Sequence, residues 1–312
     1  MTFRIFTEPQ QGASYDQLLA VASTAEECGY GAFFRSDHVL KMGSVSGLPG
    51  VTDAWITLAG LARDTTSIRL GTLVTPVTFR DLGMLAVAVA QVDQMSGGRV
   101  DVGLGAGWYD EEHAAFGVPF PAVGDRYDRL EDQLAILHGL WTAPAGATFE
   151  HSGITRQVSI SADTVRPARQ PHPPIILGGR AGERSARLAV AYADEYNSAF
   201  VPVETMREVH DRIRRACESG NRDPSSITYS VAQVLCCGTD DAEIARRAKA
   251  IGREVDELRE NGLAGTPAEV LDKIGTFIDA GAQRLYLQVL DLSDLDHLRL
   301  VAEQVMPHAA GI

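Results

Sequence analysis

The chain lacks any run of 18 or more consecutive apolar residues, and its opening segment, MTFRIFTEPQQ, has neither a basic stretch nor an apolar one. These absences argue against a membrane span and against secretion, so we expect a cytoplasmic protein. Cysteine is also scarce, and CxxC, HxH and HExxH motifs are missing. A metal site therefore has little support. We expect the cysteines to be reduced packing residues, with the adjacent pair on opposite faces of a strand: Cys28, Cys217, Cys236 and Cys237.

Positive charge is scarce as well, since 28 Lys and Arg against 41 Asp and Glu leave a formal net charge of −13. This excess of negative charge repels polyanions, and no basic run with interleaved aromatic residues occurs, so nucleic acid is not an expected partner. A basic group that contacts a ligand phosphate must be a local exception, and Arg180 and Arg184 are two candidates. The 312 residues, 45% of them hydrophobic, can bury the core of one large domain or of two ordinary ones.

Apolar, strand-like segments alternate with helical periods along almost the whole chain. Eight strands are predicted, at Phe3–Thr7, Ala32–Arg35, Ile68–Thr75, Val100–Leu104, Pro174–Leu177, Glu195–Ala199, Ile227–Cys236 and Arg284–Val289. Helices are predicted near Tyr15–Cys28, Asp53–Thr65, Asp81–Met95, Arg126–Leu140, Glu183–Ala193, Val203–Ser219, Asp241–Leu258, Ala268–Ala280 and Leu295–Met306. Several of the helix starts carry capping residues: Asp53, Asp240 and Thr266-Pro267.

Eight strand-helix units favour a closed (β/α)₈ TIM barrel of the α/β class, because right-handed crossovers repeated eight times close on themselves. A two-domain α/β protein is the alternative, but no linker rich in proline or glycine divides the chain in half. We therefore expect residues 1–312 to form one barrel domain, with an insertion of about 142–173 between strands four and five. A loop of this length is commonly a lid or an oligomer contact, and the alternation in Gln157–Ser161 predicts small extra strands.

A predicted anion site lies in the segment PPIILGGRAGERSARLAVAYADEYN. There, a short strand leads through Gly178-Gly179 into a helix whose start carries Arg180, Glu183 and Arg184. The glycines let the backbone approach a ligand closely, and the free N–H groups at the helix start favour a phosphate or a carboxylate. The alternative is a tight strand-to-helix connection with nothing bound.

Polar residues also follow other strands, and in a barrel the loops after the strands form the active site. The second strand leads into Ser36-Asp37-His38, where an imidazole can transfer a proton next to a redox ring. The alternative is that His38 only caps a loop. Asn197, Gln233 and Gln288 interrupt apolar strands, and such residues often line a barrel mouth.

The fourth strand runs into Gly103-Leu104-Gly105-Ala106-Gly107-Trp108-Tyr109. Its alternating glycines leave room for a flat ligand against the backbone, although close packing explains them equally well. The pattern is not a dinucleotide-binding fingerprint, because the downstream acidic residue is missing. Glu111 and Glu112 follow, and on a helix surface we expect at least one of them to be solvated.

In combination, these segments resemble the luciferase-like monooxygenase superfamily, and within it the oxidoreductases that depend on the deazaflavin coenzyme F420. The segments are SDH, GTLVTPVTFRDLGMLA, SGGRVDVGLGAGWYDEEHAAFG and PPIILGGRAGERSARLAVAYADEYNS, in the family's order and at its spacing over nearly the whole chain. The resemblance implies hydride transfer between F420 and a small, rather hydrophobic organic substrate. It also implies a homodimer.

Roles for individual residues follow from the same resemblance. It makes His38 the proton donor or acceptor near the reacting carbon of the deazaflavin, with Asp37 as the second catalytic and cofactor-binding residue. The remaining cofactor-binding residues fall into three groups. Leu73, Val74 and Thr75 match a non-prolyl cis peptide and its neighbour, and Ala106 and Gly107 match the backbone beside the ring. The phosphate-binding turn is matched by Gly178, Gly179 and Arg180.

One position departs from the family pattern. In the sugar-phosphate dehydrogenases of this family a glutamate follows the strand-four glycine, whereas this chain has Trp108. The difference argues against glucose 6-phosphate as the substrate and favours a larger hydrophobic or aromatic molecule. The expected substrate pocket comprises Trp108, Tyr109, Asn197 and Gln288.

The main alternative on the same fold is an FMN-dependent monooxygenase that works with a separate flavin reductase. A basic, open groove near Arg180 and Arg184 would favour F420, because F420 has a long acidic tail whereas FMN ends at its phosphate. A ligand-binding barrel without turnover is opposed by the presence of Asp37-His38. A metal-dependent hydrolase is opposed by the missing set of metal ligands.

Overall fold

Eight parallel strands close into a barrel in the computed structural model of the chain, which describes residues 1–309. The strands are β1 (Thr2–Thr7), β2 (Ala32–Arg35), β3 (Arg69–Thr72), β4 (Thr75–Pro76), β5 (Val100–Gly105), β6 (Thr148–Ser152), β7 (Gln157–Ser161), β8 (Ile175–Gly178), β9 (Glu195–Ala199), β10 (Thr228–Cys237), β11 (Leu263–Gly265) and β12 (Arg284–Val289). The helices are α1 (Tyr15–Glu27), α2 (Ala54–Asp64), α3 (Leu82–Ser96), α4 (Asp110–Phe116), α5 (Val123–Thr142), α6 (Glu183–Tyr192), α7 (Val203–Ser219), α8 (Asp241–Ala250), α9 (Val255–Asn261), α10 (Pro267–Asp279), α11 (Leu295–Gln304) and α12 (Met306–Ala309).

The ring runs β1, β2, β3, β5, β8, β9, β10, β12 and back to β1. The first and last strands close it, with Thr2 opposite Arg284 and Thr7 opposite Val289. Four strands lie outside the ring: β4 pairs with β5, β11 pairs with β10, and β6 and β7 pair with each other. The predicted (β/α)₈ barrel, with its insertion between the fourth and fifth barrel strands, is confirmed.

Two predicted elements are divided in the structure. The predicted strand Ile68–Thr75 separates into β3 and β4, and the Leu73–Val74 peptide between them is cis. The predicted helix Asp241–Leu258 separates into α8 and α9, because Gly252 follows α8 with a φ of 67°, which does not continue a helix. The predicted caps are confirmed, since the side chains of Asp53, Asp240 and Thr266 each accept a hydrogen bond from the first turn that follows.

The insertion is an antiparallel hairpin of β6 and β7, and β7 has the bounds predicted from its alternation. One buried carboxylate on α5 anchors it. Asp132 accepts hydrogen bonds from the backbone N–H groups of Ile154, Thr155 and Arg156, and its Oδ1 lies 3.0 Å from Nε2 of His151. The hydroxyl of Thr155 also donates to Asp132, so five interactions on one side chain fix the hairpin against the barrel.

The apolar core consists of three clusters. A large one fills the space between the barrel and the helices, a smaller one, which includes Phe6, Phe34, Ile176 and Ala232, lies inside the barrel, and a third joins β10 to α8 and α9. All four cysteines are free, and Cys236 and Cys237 contribute to different clusters, as expected for opposite faces of a strand. Within residues 1–309, no helix is both long and apolar enough to cross a membrane.

A buried ionic network fills the barrel interior toward its N-terminal end. Nη1 of Arg4 lies 2.9 Å from Oδ2 of Asp101 and donates to the hydroxyl of Tyr286, also at 2.9 Å. That hydroxyl donates to Glu195 at 2.7 Å. Two further arginines pair with the same carboxylates: Arg69 with Asp101, and Arg284 with Glu195. Charged and polar side chains therefore occupy this end of the barrel.

Candidate active site

A cavity of about 610 Å³ opens at the C-terminal end of the barrel, where loops after several strands meet. Its apolar walls include Phe6, Leu73, Val74, Pro76, Ala106, Trp108 and Phe200. Its polar lining includes Glu8, Ser36, His38, Glu112, Arg126 and Asn197, and the backbone of Gly178 and Gly179 forms part of its rim. A mostly apolar cavity with a few convergent polar groups is typical of a site for an organic ligand.

A buried glutamate holds the ring of His38. Nδ1 of His38 lies 2.9 Å from Oε1 of Glu112, whose side chain is only 1% exposed. Oε2 of the same carboxylate accepts the backbone N–H of Val39 at 3.0 Å. A carboxylate that accepts at both oxygens requires a proton on Nδ1, which leaves Nε2 as the nitrogen able to exchange a proton with a ligand.

Two aromatic rings pack beside this histidine. The ring centroid of His38 lies 5.5 Å from that of Trp108 and 6.0 Å from that of Tyr109, both in edge-on contact. Trp108 lines the cavity, as expected, and remains 66% exposed. Tyr109 is buried behind Trp108 and donates its hydroxyl to the carbonyl of Lys41. Tyr109 therefore supports the wall of the cavity without forming it.

Asp37 lies behind the cavity. It is 1% exposed, accepts a hydrogen bond from Oγ1 of Thr75 at 2.8 Å and forms an ion pair with Arg80. Arg80 also pairs with the capping residue Asp53 at 2.6 Å. Neither Asp37 nor Thr75 lines the cavity, although both were expected to contact the cofactor. Their geometry fits a role in fixing the loop that carries His38.

The cis peptide and the alternating glycines form one packed unit. Leu73 and Val74 line the cavity at the cis bond. A Cβ on Gly103 would lie 2.1 Å from the carbonyl oxygen of Thr72 and 2.9 Å from Cγ1 of Val74, and one on Gly105 would lie 2.8 Å from Cγ2 of Val74. Gly103 therefore makes room for the Thr72 backbone and for Val74, and Gly105 makes room for Val74. Ala106 and Gly107 come next and line the cavity, as expected.

The Gly178-Gly179 turn is open to the cavity. Gly179 has a φ of 122°, and the nearest atom to a Cβ placed there would be the Tyr196 hydroxyl at 4.0 Å. The same hydroxyl accepts the backbone N–H of Ala181 at 3.0 Å, just before α6 begins. Arg180 is exposed and does not line the cavity. The turn thus offers accessible backbone near a helix start, which is the geometry that anions favour.

The basic groups around this turn differ from those expected. Arg184 pairs with Asp128 and, at 3.2 Å, with Glu131, so its charge is neutralised within the protein. Arg184 therefore contributes little to a basic groove. Arg126, which the sequence did not single out, lines the cavity from α5. Its guanidinium lies 3.8 Å from the ring centroid of Phe120, and its Nε is buried without a hydrogen-bond partner within residues 1–309.

The polar residues of the last strands are only partly in the cavity. Asn197 lines it and donates from Nδ2 to Oγ of Ser230 at 2.9 Å. Gln288 is buried, at 5% exposure, but does not line the cavity. Gln233 points out of the barrel, because its neighbour Ala232 points in. Alternation along a strand sends adjacent side chains to opposite faces.

Two acidic residues of the cavity were not predicted as site residues. At least one residue of the Glu111-Glu112 pair was expected on a solvated helix face, which fits exposed Glu111, and no local signal marks Glu112 as the buried one. Glu8 follows β1 directly, so the rule for polar residues after strands could have found it. Burial raises the pKa of the Glu8 carboxyl, although His38 opposes this effect. Within residues 1–309, no group of three or more His, Cys, Asp or Glu side chains is arranged to hold a metal.

Comparison with known proteins identifies relatives of two kinds. An F420-dependent hydroxymycolic acid dehydrogenase from Mycobacterium tuberculosis is 28% identical over 75% of this chain and 62% of its own length. An F420-dependent glucose-6-phosphate dehydrogenase from Nakamurella multipartita is 27% identical over 95% of this chain and 93% of its own. An FMNH₂-dependent dimethylsulfone monooxygenase from Pseudomonas putida is 31% identical over 60% and 52%. The chain thus spans less than two thirds of the first and third of these relatives.

The fold is shared with solved structures. An F420-dependent secondary alcohol dehydrogenase, solved with an F420-acetone adduct, superposes with a TM-score of 0.81 at 19% identity, over 99% of this chain and 98% of that one. A family model described as luciferase-like monooxygenase matches residues 1–262. Because that match extends over most of the chain, the chain belongs to the luciferase-like monooxygenase family.

Proposed function

We propose that this chain is an oxidoreductase that transfers a hydride between coenzyme F420 and a small, rather hydrophobic organic substrate. The observation that carries the proposal is the His38–Glu112 pair, a proton-exchanging group fixed in an otherwise largely apolar cavity. The relatives that align with most of this chain, from M. tuberculosis and N. multipartita, are F420-dependent dehydrogenases. Both facts support dehydrogenation or its reverse.

The residues of the cavity fit a flat ring joined to a phosphate. Leu73, Val74 and the backbone of Ala106-Gly107 would support the ring, since glycine at 107 keeps that surface free of side chains. The Gly178-Gly179 turn would receive the phosphate on its backbone, because no Cβ blocks the approach. When bound, F420 supplies the carbon that gives or takes the hydride.

The chain's own contribution is to move one proton. With Nδ1 protonated and held by Glu112, Nε2 of His38 accepts the proton of a substrate hydroxyl as the substrate is oxidised. The resulting imidazolium is stabilised by the Glu112 carboxylate. In the reverse direction the same imidazolium returns the proton. Asp37 and Arg80 position the loop, and the apolar walls limit the access of water.

Trp108 supports a hydrophobic rather than a phosphorylated substrate. It occupies the position where the sugar-phosphate dehydrogenases carry a glutamate, and its ring lies against His38. The surrounding walls are Phe6, Leu73 and Phe200. An indole at the mouth of such a cavity contributes apolar contact area and one hydrogen-bond donor.

A second candidate is an FMN-dependent monooxygenase supplied by a separate flavin reductase. The ion pairing of Arg184 with Asp128 and Glu131 favours it, because this pairing removes one cation that an acidic F420 tail would use. A cofactor that ends at its phosphate needs only the glycine turn and nearby Arg126 or Arg180. The P. putida relative is an FMNH₂-dependent enzyme.

The experiment is a fluorescence titration of the cofactor-free protein with F420 and, separately, with FMN. Tighter binding of F420 supports the first function, and tighter binding of FMN supports the second. Gly179→Val should weaken either cofactor, because a side chain would block approach to the turn and the φ of 122° disfavours a Cβ. Gly146→Val is the matched control, since Gly146 also has a positive φ, 77°, but lies outside the cavity. Unchanged affinity in Gly179→Val removes the turn from the site.

A further inference from the structure

A second, smaller pocket adjoins the active-site cavity. It measures about 210 Å³ and lies on the outer side of β10, between the loop after β9 and the segment from α9 to α10. Its lining includes Val201, Gln233, Gly262, Thr276 and Phe277. Phe200 lines both this side pocket and the active-site cavity. Phe200 therefore forms part of the wall of both.

The backbone holds Phe200 in an uncommon conformation. Its φ is 53°, in the left-handed region that a bulky side chain rarely adopts. The backbone N–H donates to the carbonyl of Ala232 at 2.8 Å, which ties the residue to β10. The ring packs only loosely, 6.3 Å from that of Phe6 and 45% exposed. The main chain of this wall is fixed, whereas its side chain has room to turn.

One buried polar atom in the side pocket has no partner. Gln233 is 2% exposed, and its Nε2 donates to the carbonyl of Val201 at 2.6 Å. Because a carbonyl only accepts, this bond fixes the orientation of the amide and directs Oε1 elsewhere. Oε1 is buried and without a hydrogen-bond partner within residues 1–309. A donor from a ligand would satisfy it.

The cation of the side pocket, Lys273, already has hydrogen-bond partners. Lys273 donates from Nζ to the carbonyl of Gly262 at 3.0 Å and also to that of Arg259. The rest of the wall is largely apolar, with Val201, Pro202 and Phe277. Glu260 and Asn261 complete the polar lining, so within residues 1–309 the pocket offers acceptors, among them Oε1 of Gln233, and no free cation. This lining matches a hydroxyl-bearing group without negative charge.

We propose that the side pocket is a second compartment of the substrate site, which takes a neutral, hydroxyl-bearing end of a substrate whose reacting end lies at His38. The proposal rests on the proposed function only in placing the reacting end at His38. Phe200 then determines the length of substrate that reaches Gln233. Short molecules stay on the near side of its ring, and longer ones pass it and donate to Oε1.

The test uses linear 1-alkanols and α,ω-diols of increasing length, titrated against the cofactor-free protein by saturation-transfer NMR. Below a threshold length the alcohol and the diol should bind equally. Above it the diol should bind roughly two- to tenfold more tightly, the effect of one neutral hydrogen bond. We call this gain in affinity of the diol over the alcohol the diol step. Gln233→Met should abolish the diol step, whereas the exposed control Gln304→Met should keep it.

Thr276→Trp gives an independent check, since it fills the pocket from an exposed position and leaves the bond between Gln233 and Val201 in place. It should also abolish the step. Equal binding of alcohol and diol at every length in the unaltered protein overturns the proposal. A diol step that persists in both Gln233→Met and Thr276→Trp also overturns it. Because no cofactor is present, these outcomes are independent of whether F420 or FMN binds. Failure of the proposed function would instead appear in the cofactor titration.

Discussion

The position of the proton on His38 depends on a single carboxylate, and Glu112→Gln tests that dependence. In the unaltered protein, the two oxygens of Glu112 accept from Nδ1 of His38 at 2.9 Å and from the N–H of Val39 at 3.0 Å. Glutamine has one oxygen and one NH₂ group in the same positions. The backbone N–H of Val39 can only donate, so the amide oxygen must turn toward it.

The amide NH₂ of the variant then faces His38 and donates to Nδ1. We therefore expect the proton to leave Nδ1 and to appear on Nε2, the opposite tautomer. The cavity-facing nitrogen changes from an acceptor to a donor, and the imidazolium loses its negative partner. A hydrogen bond to a charged group contributes about 1.5–3 kcal/mol, and a wrong histidine tautomer in a protease triad lowers turnover roughly 10⁴-fold. We expect a loss of turnover of roughly 10²- to 10⁴-fold.

The assay is ¹⁵N NMR of the imidazole nitrogens in the cofactor-free protein, combined with turnover measurements. Glu111→Gln is the matched control, because Glu111 is the exposed neighbour and accepts a hydrogen bond from the hydroxyl of Tyr109 at 3.3 Å, away from His38. Thermal unfolding of both variants establishes that the fold is retained. If Glu112→Gln keeps the proton on Nδ1, or turns over at a near-normal rate, Glu112 does not set the state of His38.

Three further predictions concern catalysis, assembly and stability. His38→Ala should lower turnover roughly 10²- to 10⁴-fold with little change in cofactor affinity, and Asp37→Asn should lower turnover less. A fully active His38→Ala enzyme would leave His38 as a structural residue. We propose a homodimer, so sedimentation at micromolar concentration should give a species heavier than the 33.5 kDa of one chain. Met84→Glu, on the exposed apolar side of α3, should shift the sedimenting species toward the mass of one chain. A monomer in the unaltered protein contradicts the proposal. Burial lowers the pKa of His210 and of His297 to about 4. Below about pH 6.5 the unfolded state therefore binds more protons than the folded one. The free energy of unfolding should fall by up to roughly 3 kcal/mol for each histidine as the pH approaches 4. A midpoint of thermal unfolding that stays constant between these pH values would show that neither histidine remains neutral in the fold.

The barrel was predictable because its strands are continuous apolar runs and its helices have clear caps, both of which are local features of the sequence. His38 and the Gly178-Gly179 turn were indicated by their positions after strands, and the cis peptide at Leu73–Val74 was implied by resemblance. All of them lie at the cavity. The contacts that set their chemistry were not predictable from local sequence. Glu112 reaches His38 across 74 residues of chain.

The ion pairs that neutralise the arginines near the cavity could not be predicted from local sequence either. Arg184 looks like a free cation beside a glycine turn, and only the packing of α6 against α5 brings Asp128 and Glu131 to it. Arg80 and Asp37 likewise come from different loops, 43 residues apart. Local sequence indicates which residue types are present near a strand end, whereas folding decides which of them neutralise one another.

The ionic network inside the barrel makes the completeness of the ring a condition for stability. Arg4 contacts Tyr286 from the opposite end of the chain, 282 residues away, and Tyr286 in turn contacts Glu195. In a ring that lacks β12, the guanidinium of Arg4 would lose its hydroxyl partner, and Glu195 would lose two donors. Buried charges that lose hydrogen-bond partners are destabilising, so a ring without β12 is held less firmly even though Arg4 keeps its ion pair with Asp101. The first strand therefore depends on the last one, and we expect the loss of β12 to weaken the whole barrel rather than one edge of it.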